Sequence, residues 1–589
     1  MSINYMRSGI LTLILIGLCL NANAKKLVIQ SQEDFDKINI EILDAIESGA
    51  SNVRVCFAPG QYVYKQNHIN LNKIKNNRLT ISIEGNGARL IPEGYAYNNG
   101  DDYVGNYRIQ SSWMSGNKDI NTWSRSRYAD GLVEVVDPNT KKCRIKVKEI
   151  LPSTSGRQLY VKIPHWFRSS VYEIEEIKGN YIYFKAPDLS ISSKGDCNIN
   201  GDFTHGGKEV RYKLCNLNNT DDCIKIVSGK VVLPQGIANV YEGIVTSFLT
   251  LNDCRFKRIK ISGLIFLGAC SDDEKSLVNL CDNNASSIKI EKCKFVGIRS
   301  NVLSIINSNN VTINKCSFEY CWYNGVVADN GSGNFTIENS MFNMMGLGMS
   351  NTFSIQCCGD NYHVCNNVLT DFGYGGIAVG LYYENRQSKP IKGVVENNEL
   401  YYSDEYISHI ADYGIMDGGA IYVFTKNDET TIKGNYIDGY TGIDSNRGIF
   451  CDDGAYNVHI HGNIILNISN SYCIDSRRVP EVENTYSSVS GIANSNVNIT
   501  ISDNVVDGAI RFVGKSGIDN NCTYGNNYSI RPTNSPAIAN TVNHVSKVGD
   551  EISFDASVSN GKVSLQKSDY KTLKHSRNWK VIRKRVVKK

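Results

Sequence analysis

The stretch IKGNYI (Ile432–Ile437) and its echo IHGNII (Ile460–Ile465) decide the fold. Each has an aliphatic residue first, Asn fourth and an apolar residue sixth. Working outward, the phrase returns as ISGLIF at Ile261, IEKCKF at Ile290, INKCSF at Ile313 and IENSMF at Ile337. It continues as VCNNVL at Val364, VENNEL at Val395 and ISDNVV at Ile501. The nine copies are 29, 23, 24, 27, 31, 37, 28 and 41 residues apart. The fourth slot reads Leu264, Cys293, Cys316, Ser340, Asn367, Asn398, Asn435, Asn463 and Asn504. Apolar and polar positions alternate, which is strand periodicity. A unit near 23 residues is too small to bury its own apolar face, so the units must stack. In a stack, the five Asn become vertical neighbours. Each amide then bonds the next and satisfies buried turn backbone.

This pattern resembles the pectate-lyase-like superfamily of right-handed parallel β-helices, over most of residues 261–515. The expected fold class is all-β: a right-handed parallel β-helix solenoid with an N-terminal capping helix and an inserted small antiparallel β-domain. Ser31 and Asp34 read as a helix start, and Phe35, Ile38, Ile42 and Ile46 share one helical face. Short strands follow at 53–58, 61–64 and 81–84. The repeat vanishes between about 95 and 250. Alternating stretches at 159–163, 171–177, 181–185 and 231–233 predict the inserted domain. The expected divisions are a signal peptide at 1–24, cap and first coils at 25–95, the insert at 96–250, the main helix at 251–534, and a C-terminal cap with basic tail at 535–589.

The chain has 589 residues with 63 Lys+Arg, 59 Asp+Glu and a net charge of +4. Nine Lys/Arg and no acid fall between Lys571 and Lys589, so the remainder carries −5 (+4 less 9). A mildly acidic body gives no reason to expect a nucleic-acid partner. Arg7, the apolar run Gly9–Leu20 and Ala22-Asn23-Ala24 read as a secretory signal, and no later stretch reads as transmembrane. The expected location is therefore secreted, in a bacterial periplasm or on the cell surface, and the expected state is a monomer. Beyond Cys19, 17 cysteines remain. Several fall at repeat positions and read as buried fillers, with no zinc spacing among them.

Excess length accumulates at 370–394, 401–431 and 466–500, on neighbouring coils, which predicts one cleft. Two segments there carry chemistry: Asp412-Tyr413-Gly414-Ile415-Met416-Asp417-Gly418-Gly419-Ala420-Ile421-Tyr422, and Arg447-Gly448-Ile449-Phe450-Cys451-Asp452-Asp453-Gly454. They resemble the DxGAIY…GIYxDD pattern of exported β-helix glycoside hydrolases of families 120 and 141. That resemblance implies exo action on a polysaccharide or oligosaccharide by paired carboxylates. Such catalysis needs a proton donor and a second carboxylate about 5 Å away (nucleophile) or about 6.5–9.5 Å away (base). The candidate catalytic residues are Asp417, Asp452, Asp453 and Asp444. Candidate substrate-binding residues are Tyr422, Arg447, His409, Asp475, Arg477, Arg478 and Trp123.

Aligning Ile432 with Ile460 places Tyr422 over Phe450 and Asp417 over Ser445, with Asp452 at the far end of the strand. The likeness of Ile443-Asp444-Ser445 to Ile474-Asp475-Ser476 predicts an acidic column of Asp417, Asp444 and Asp475. Arg447 is expected to pair with Asp444 or Asp452 where its role is structural. Each Asp has a plain alternative as a turn residue. No cofactor or metal is expected for hydrolysis. The runner-up is a polysaccharide lyase with an Arg or Lys base (Arg447, Arg477, Arg386 or Lys389) and Ca²⁺ on Asp452 and Asp453. A third reading is a non-catalytic binding or adhesive rod.

Overall fold

The computed structural model describes residues 24–92, the strands and tight turns between 103 and 232, and most of 247–529. Within the last range it omits 270–275, 299–300, 322, 347–351, 381–390, 404–417, 425, 441–445, 453–454, 469–471, 477–496, 507, 514–522 and 526. Three further strands, 541–543, 557–559 and 562–564, complete the described residues. The signal peptide expected at 1–24 lies outside them save for Ala24, and the basic tail lies wholly outside them.

The chain winds as a right-handed parallel β-helix whose coils present three faces. The first face runs through Arg255–Ser262, Ile288–Glu291, Val311–Asn314, Thr336–Glu338 and on to Thr523–Gly525, each strand parallel to the next. The second runs from Gln61–Tyr64 to Tyr528–Ser529 as twelve parallel strands. The third begins at Ile69–Asn70 and reaches Ile510–Val513. Parallel strands need crossovers, and here each crossover is the rest of one coil.

Ile261, Ile290 and Ile313 are Cα partners in one column. In the next turn, the residue before the fourth slot takes the left-handed conformation in coil after coil: Gly263, Lys292, Lys315, Asn339, Asn366, Asn397, Gly434, Gly462 and Asp503. That bend swings the chain from the first face to the second. Gly, Asn and Asp dominate because a Cβ at positive φ is costly, and short polar side chains tolerate it best.

The fourth slot then points inward. Asn367 Nδ2 donates to Asn398 Oδ1 at 3.0 Å, and Asn398, Asn435 and Asn463 repeat the contact upward at 3.0, 3.0 and 2.9 Å. Each amide also donates to a carbonyl of the preceding coil, as Asn435 does to Val395. The ladder has a sixth rung, Asn527, at 2.9 Å from Asn504. The apolar sixth slot stacks as well: Phe266, Phe295, Phe318 and Phe342 lie with ring centroids 5.1, 4.9 and 4.4 Å apart.

Helix α1 (Gln32–Glu47) covers the N-terminal end. Ser31 Oγ accepts from Asp34 N, and the Asp34 carboxylate accepts from Ser31 N. Phe35, Ile38, Ile42 and Ala45 are buried against the first coils, with Ile46 half-buried beside them. Its polar residues satisfy open strand edges. The Gln32 amide donates to Val63 O and accepts from Val63 N, both at 2.8 Å, and Asn39 accepts from Asn70 N.

The stack is continuous across the insert, because Ile69 pairs with Leu249 and Leu90 with Phe266. The insert contains a six-stranded antiparallel sheet ordered 213–216, 159–164, 169–178, 181–185, 142–146 and 133–137. A three-stranded sheet joins 230–232, 223–227 and 103–108.

The twelve cysteines whose side chains are described form no disulfide, and ten of them are buried. Burial pushes the Cys321 and Cys365 thiols up to about 12, which leaves them as inert fillers.

Candidate functional site

The third face is where the coils carry their excess. The long insertions enter and leave at its two edges. Residues 404–417 join Ser403 to Gly418, and 441–445 join Tyr440 to Asn446. On the opposite edge, 381–390 and 477–496 connect this face to the first.

Its strands Gly375–Val379, Gly419–Val423, Arg447–Cys451, Ile474–Ser476 and Ile510–Val513 stack in parallel. Ile377, Ile421, Ile449, Ile474 and Ile510 form one inward column. The next residue in each strand points out: Ala378, Tyr422, Phe450 and Asp475. The expected stacking of Tyr422 over Phe450 is therefore present.

Outside the coil, Phe353, Tyr374, Ala378, Tyr422 and Phe450 form a second apolar cluster, separate from the main core. Tyr422 meets Phe450 edge-on at 5.1 Å and lies 5.8 Å from Phe353. The layer needs glycine beneath it. A Cβ on Gly375 would stand 2.6 Å from the Phe353 ring. Phe353 and Tyr374 escaped the sequence reading, although the parallel phrases GIAV (376–379), AIYV (420–423) and GIFC (448–451) mark this face once they are aligned.

Three buried polar side chains are set into this layer. Asp452 follows the strand end, its backbone N donating to Val423 O at 2.9 Å. Its Oδ2 accepts a hydrogen bond from the Tyr422 hydroxyl at 2.5 Å. Arg447 opens the same strand and donates Nε to Asp475 Oδ2 at 2.9 Å. The guanidinium carbon lies 4.0 Å from the Phe450 ring centre. The Arg447 side chain is 4% exposed and that of Asp475 0%, so each charge is neutralised by the other inside a low-dielectric layer.

Arg447 pairs with Asp475 of the following coil, a partner that was not expected for it; Asp444, one of the two that were, lies outside the described residues. Asp475 stands in the column of Tyr422 and Phe450, while Asp417 and Asp444, expected to share a column with it, lie outside the described residues. The likeness of the two Ile-Asp-Ser phrases is not a register, because Ile474 pairs with Ile449 and Asp475 with Phe450. The turns before the two strands differ in length, which shifts the phrase by several residues.

Asp417, Asp444, Asp453, His409, Arg477, Arg478 and Trp123 lie outside the described residues. The backbone still bounds one pairing. Gly418 N donates to Asn446 Oδ1, and Asp452 is six strand residues beyond Asn446, about 20 Å along the face. The Asp417 end and Asp452 are thus at opposite edges of the third face.

Asp452 and Asp475 are closer. They sit on adjacent coils, two residues out of register, which puts their α-carbons roughly 8 Å apart. Among the described residues no group of three or more His, Cys, Asp or Glu is placed to hold a metal ion. No described helix is long and apolar enough to cross a membrane.

No known sequence family matches the chain, and no curated protein matches it. Among solved structures, one described as a glycoside hydrolase is similar at 10% identity and a TM-score of 0.45, over 85% of this chain and 96% of its own. The tailspike of Pseudomonas phage phi297 is similar at 9% identity and a TM-score of 0.16, over 84% and 67%. The fold assignment rests on the strand register of this chain alone.

Proposed function

We propose that this protein is an exported carbohydrate-active enzyme that hydrolyses glycosidic bonds, acting from a chain end at the outer surface of the third face. One observation supports this above the rest. Two buried carboxylates, Asp452 and Asp475, sit on adjacent coils at an α-carbon spacing of roughly 8 Å, within a layer of aromatic side chains. Asp452, oriented by the Tyr422 hydroxyl, gives its proton to the leaving glycosidic oxygen. Asp475, fixed by Arg447, takes the proton of the water that attacks the anomeric carbon. With the attacking water between them, the two acids would act in the inverting manner, for which the carboxyl groups stand about 6.5–9.5 Å apart. Asp417, Asp444 and Asp453 remain acid candidates on the same coils. The enzyme works as a secreted monomer and needs no cofactor.

The elimination reading is less well supported. A lyase base must shed its proton, and Arg447 is held as a cation by Asp475 and the Phe450 face. The test is product analysis on a glycan panel. New reducing ends of inverted anomeric configuration, without the ultraviolet absorbance of unsaturated uronates, are expected. Unsaturated products that vanish with a calcium chelator would establish the lyase instead.

A further inference from the structure

Resting on that site, we propose that the substrate is a neutral oligosaccharide lying lengthwise on the third face. Its long arm runs from the Asp452 coil toward the N-terminal end of the rod. The parallel register places Thr250, Asn279, Ser304, Val327, Gln356 and Ala378 in one outward column that leads directly into Tyr422 and Phe450. Six successive coils thus carry no ionised side chain in that column. The first face differs: its outward positions include Arg54, Lys260, Lys289, Glu291, Glu396 and Lys433. A chain of uronates would need cations along its floor, and none of these six positions supplies one; the one Arg in register, Arg511, lies beyond Asp475. The acids nearest it are Asp282, on the turn that leaves the face, and Asp329, two residues past Val327 in the same strand, and Asn307 bonds both. They would repel an anionic chain.

The column offers what a neutral sugar uses, which is amides and hydroxyls. Thr250, Asn279, Val327 and Gln356 are half-exposed. Asn279 is half-buried, and its side-chain amide stands beside Thr250 and Ser304 in the column, where an amide can meet sugar hydroxyls. From Asn279 to Phe450 is six coil steps, about 29 Å, and one step is comparable with the repeat of an extended glycan. The opposite direction is short. Beyond Asp475 there is, among the described residues, one parallel strand on this face, Ile510–Val513, and then Thr541–Asn543 runs antiparallel to it. The floor is therefore long on the N-terminal side of the site and short on the other, as cleavage near a chain end requires.

The test is calorimetric titration of the full-length protein with cello-, manno- and xylo-oligosaccharides from about two to seven units, and with oligogalacturonates of matched length. One neutral series is expected to bind about tenfold more tightly at the long end than at the short end. Gln356→Ala and Asn279→Ala should each remove about threefold or more of that gain and leave the shortest ligand unaffected. Tighter, length-dependent binding of oligogalacturonates, or no length dependence in any neutral series, overturns the proposal. The outcomes separate the two readings. Neutral oligomers that bind by length without being cleaved keep this inference and remove the hydrolase. Short glycosides cleaved with no effect of length do the reverse.

Discussion

Asn435→Ala removes the middle rung of the amide ladder, and the cost follows from four contacts. Asn435 Nδ2 donates to Val395 O and to Asn463 Oδ1, and its Oδ1 accepts from the backbone N and the Nδ2 of Asn398, each at 3.0 Å. Two of the four partners are covered by others. Asn398 Nδ2 keeps Val364 O, and Asn463 Oδ1 keeps the backbone N of residue 435. The Asn398 N–H and the Val395 carbonyl each lose this partner inside the stack. An orphaned buried group costs about 1–3 kcal/mol, so the pair costs about 2–6 kcal/mol, and the void adds to it. The expected loss is about 4 kcal/mol. Thr431→Ala, on the outward side of the same coil, serves as control and should cost less than about 1 kcal/mol. Urea midpoints followed by circular dichroism give the comparison. Hydrogen exchange of peptides around Asn398 and Asn463 shows whether the loss is local, as a nearest-neighbour solenoid requires. Equal midpoint shifts for the two variants would refute the reasoning.

Other expectations concern the third face and pH. Gly375→Ala forces a Cβ to 2.6 Å from Phe353 and 2.8 Å from Gly419 O, and should cost about 1–3 kcal/mol in urea unfolding. Tyr422→Phe removes the hydroxyl that orients Asp452 and should lower kcat about tenfold, with KM little changed, in steady-state kinetics. Stability should fall on acidification in two steps, read as Tm from neutral pH to about pH 2.5. Burial holds His68 below its ordinary 6.5, so the unfolded chain takes up the proton first. That contribution is full above 6.5 and declines as pH falls through it toward the lower folded value. Glu396 follows from 4.5 downward. Burial alone would raise it, but the bonds from His363 and Lys433 outweigh that and lower it. His68→Gln should shrink the upper step without removing it, because burial also holds His461 below 6.5, and should leave the lower step unchanged.

The fold was legible because its determinants repeat. An aliphatic residue, an Asn and an apolar residue recur at one spacing, and stacking is the only way such short strands bury anything. The sixth rung was missed because Tyr524 stands where the other coils have Ile or Val, and Asn527 then has no visible frame. The bend was missed because Gly, Asn, Asp and Lys share a backbone conformation there, not a chemistry. The third face was harder to read. Strands such as Gly419–Val423 and Arg447–Cys451 are buried on both sides, so no alternation marks them. Tyr422, Arg447, Asp452 and Asp475 could be named from the sequence, but their partners could not. Pairing across coils depends on turn lengths, which the repeat does not fix, so the Arg447–Asp475 pair was not foreseen.

The most direct test is the turnover of Asp452→Asn beside that of the unaltered protein on a substrate the latter cleaves. Asn keeps the size of the side chain and an acceptor for Tyr422, but cannot donate the proton. The account predicts a fall in kcat of about 10²–10⁴ with Tm and substrate affinity unchanged. Undiminished turnover by the folded variant would contradict it.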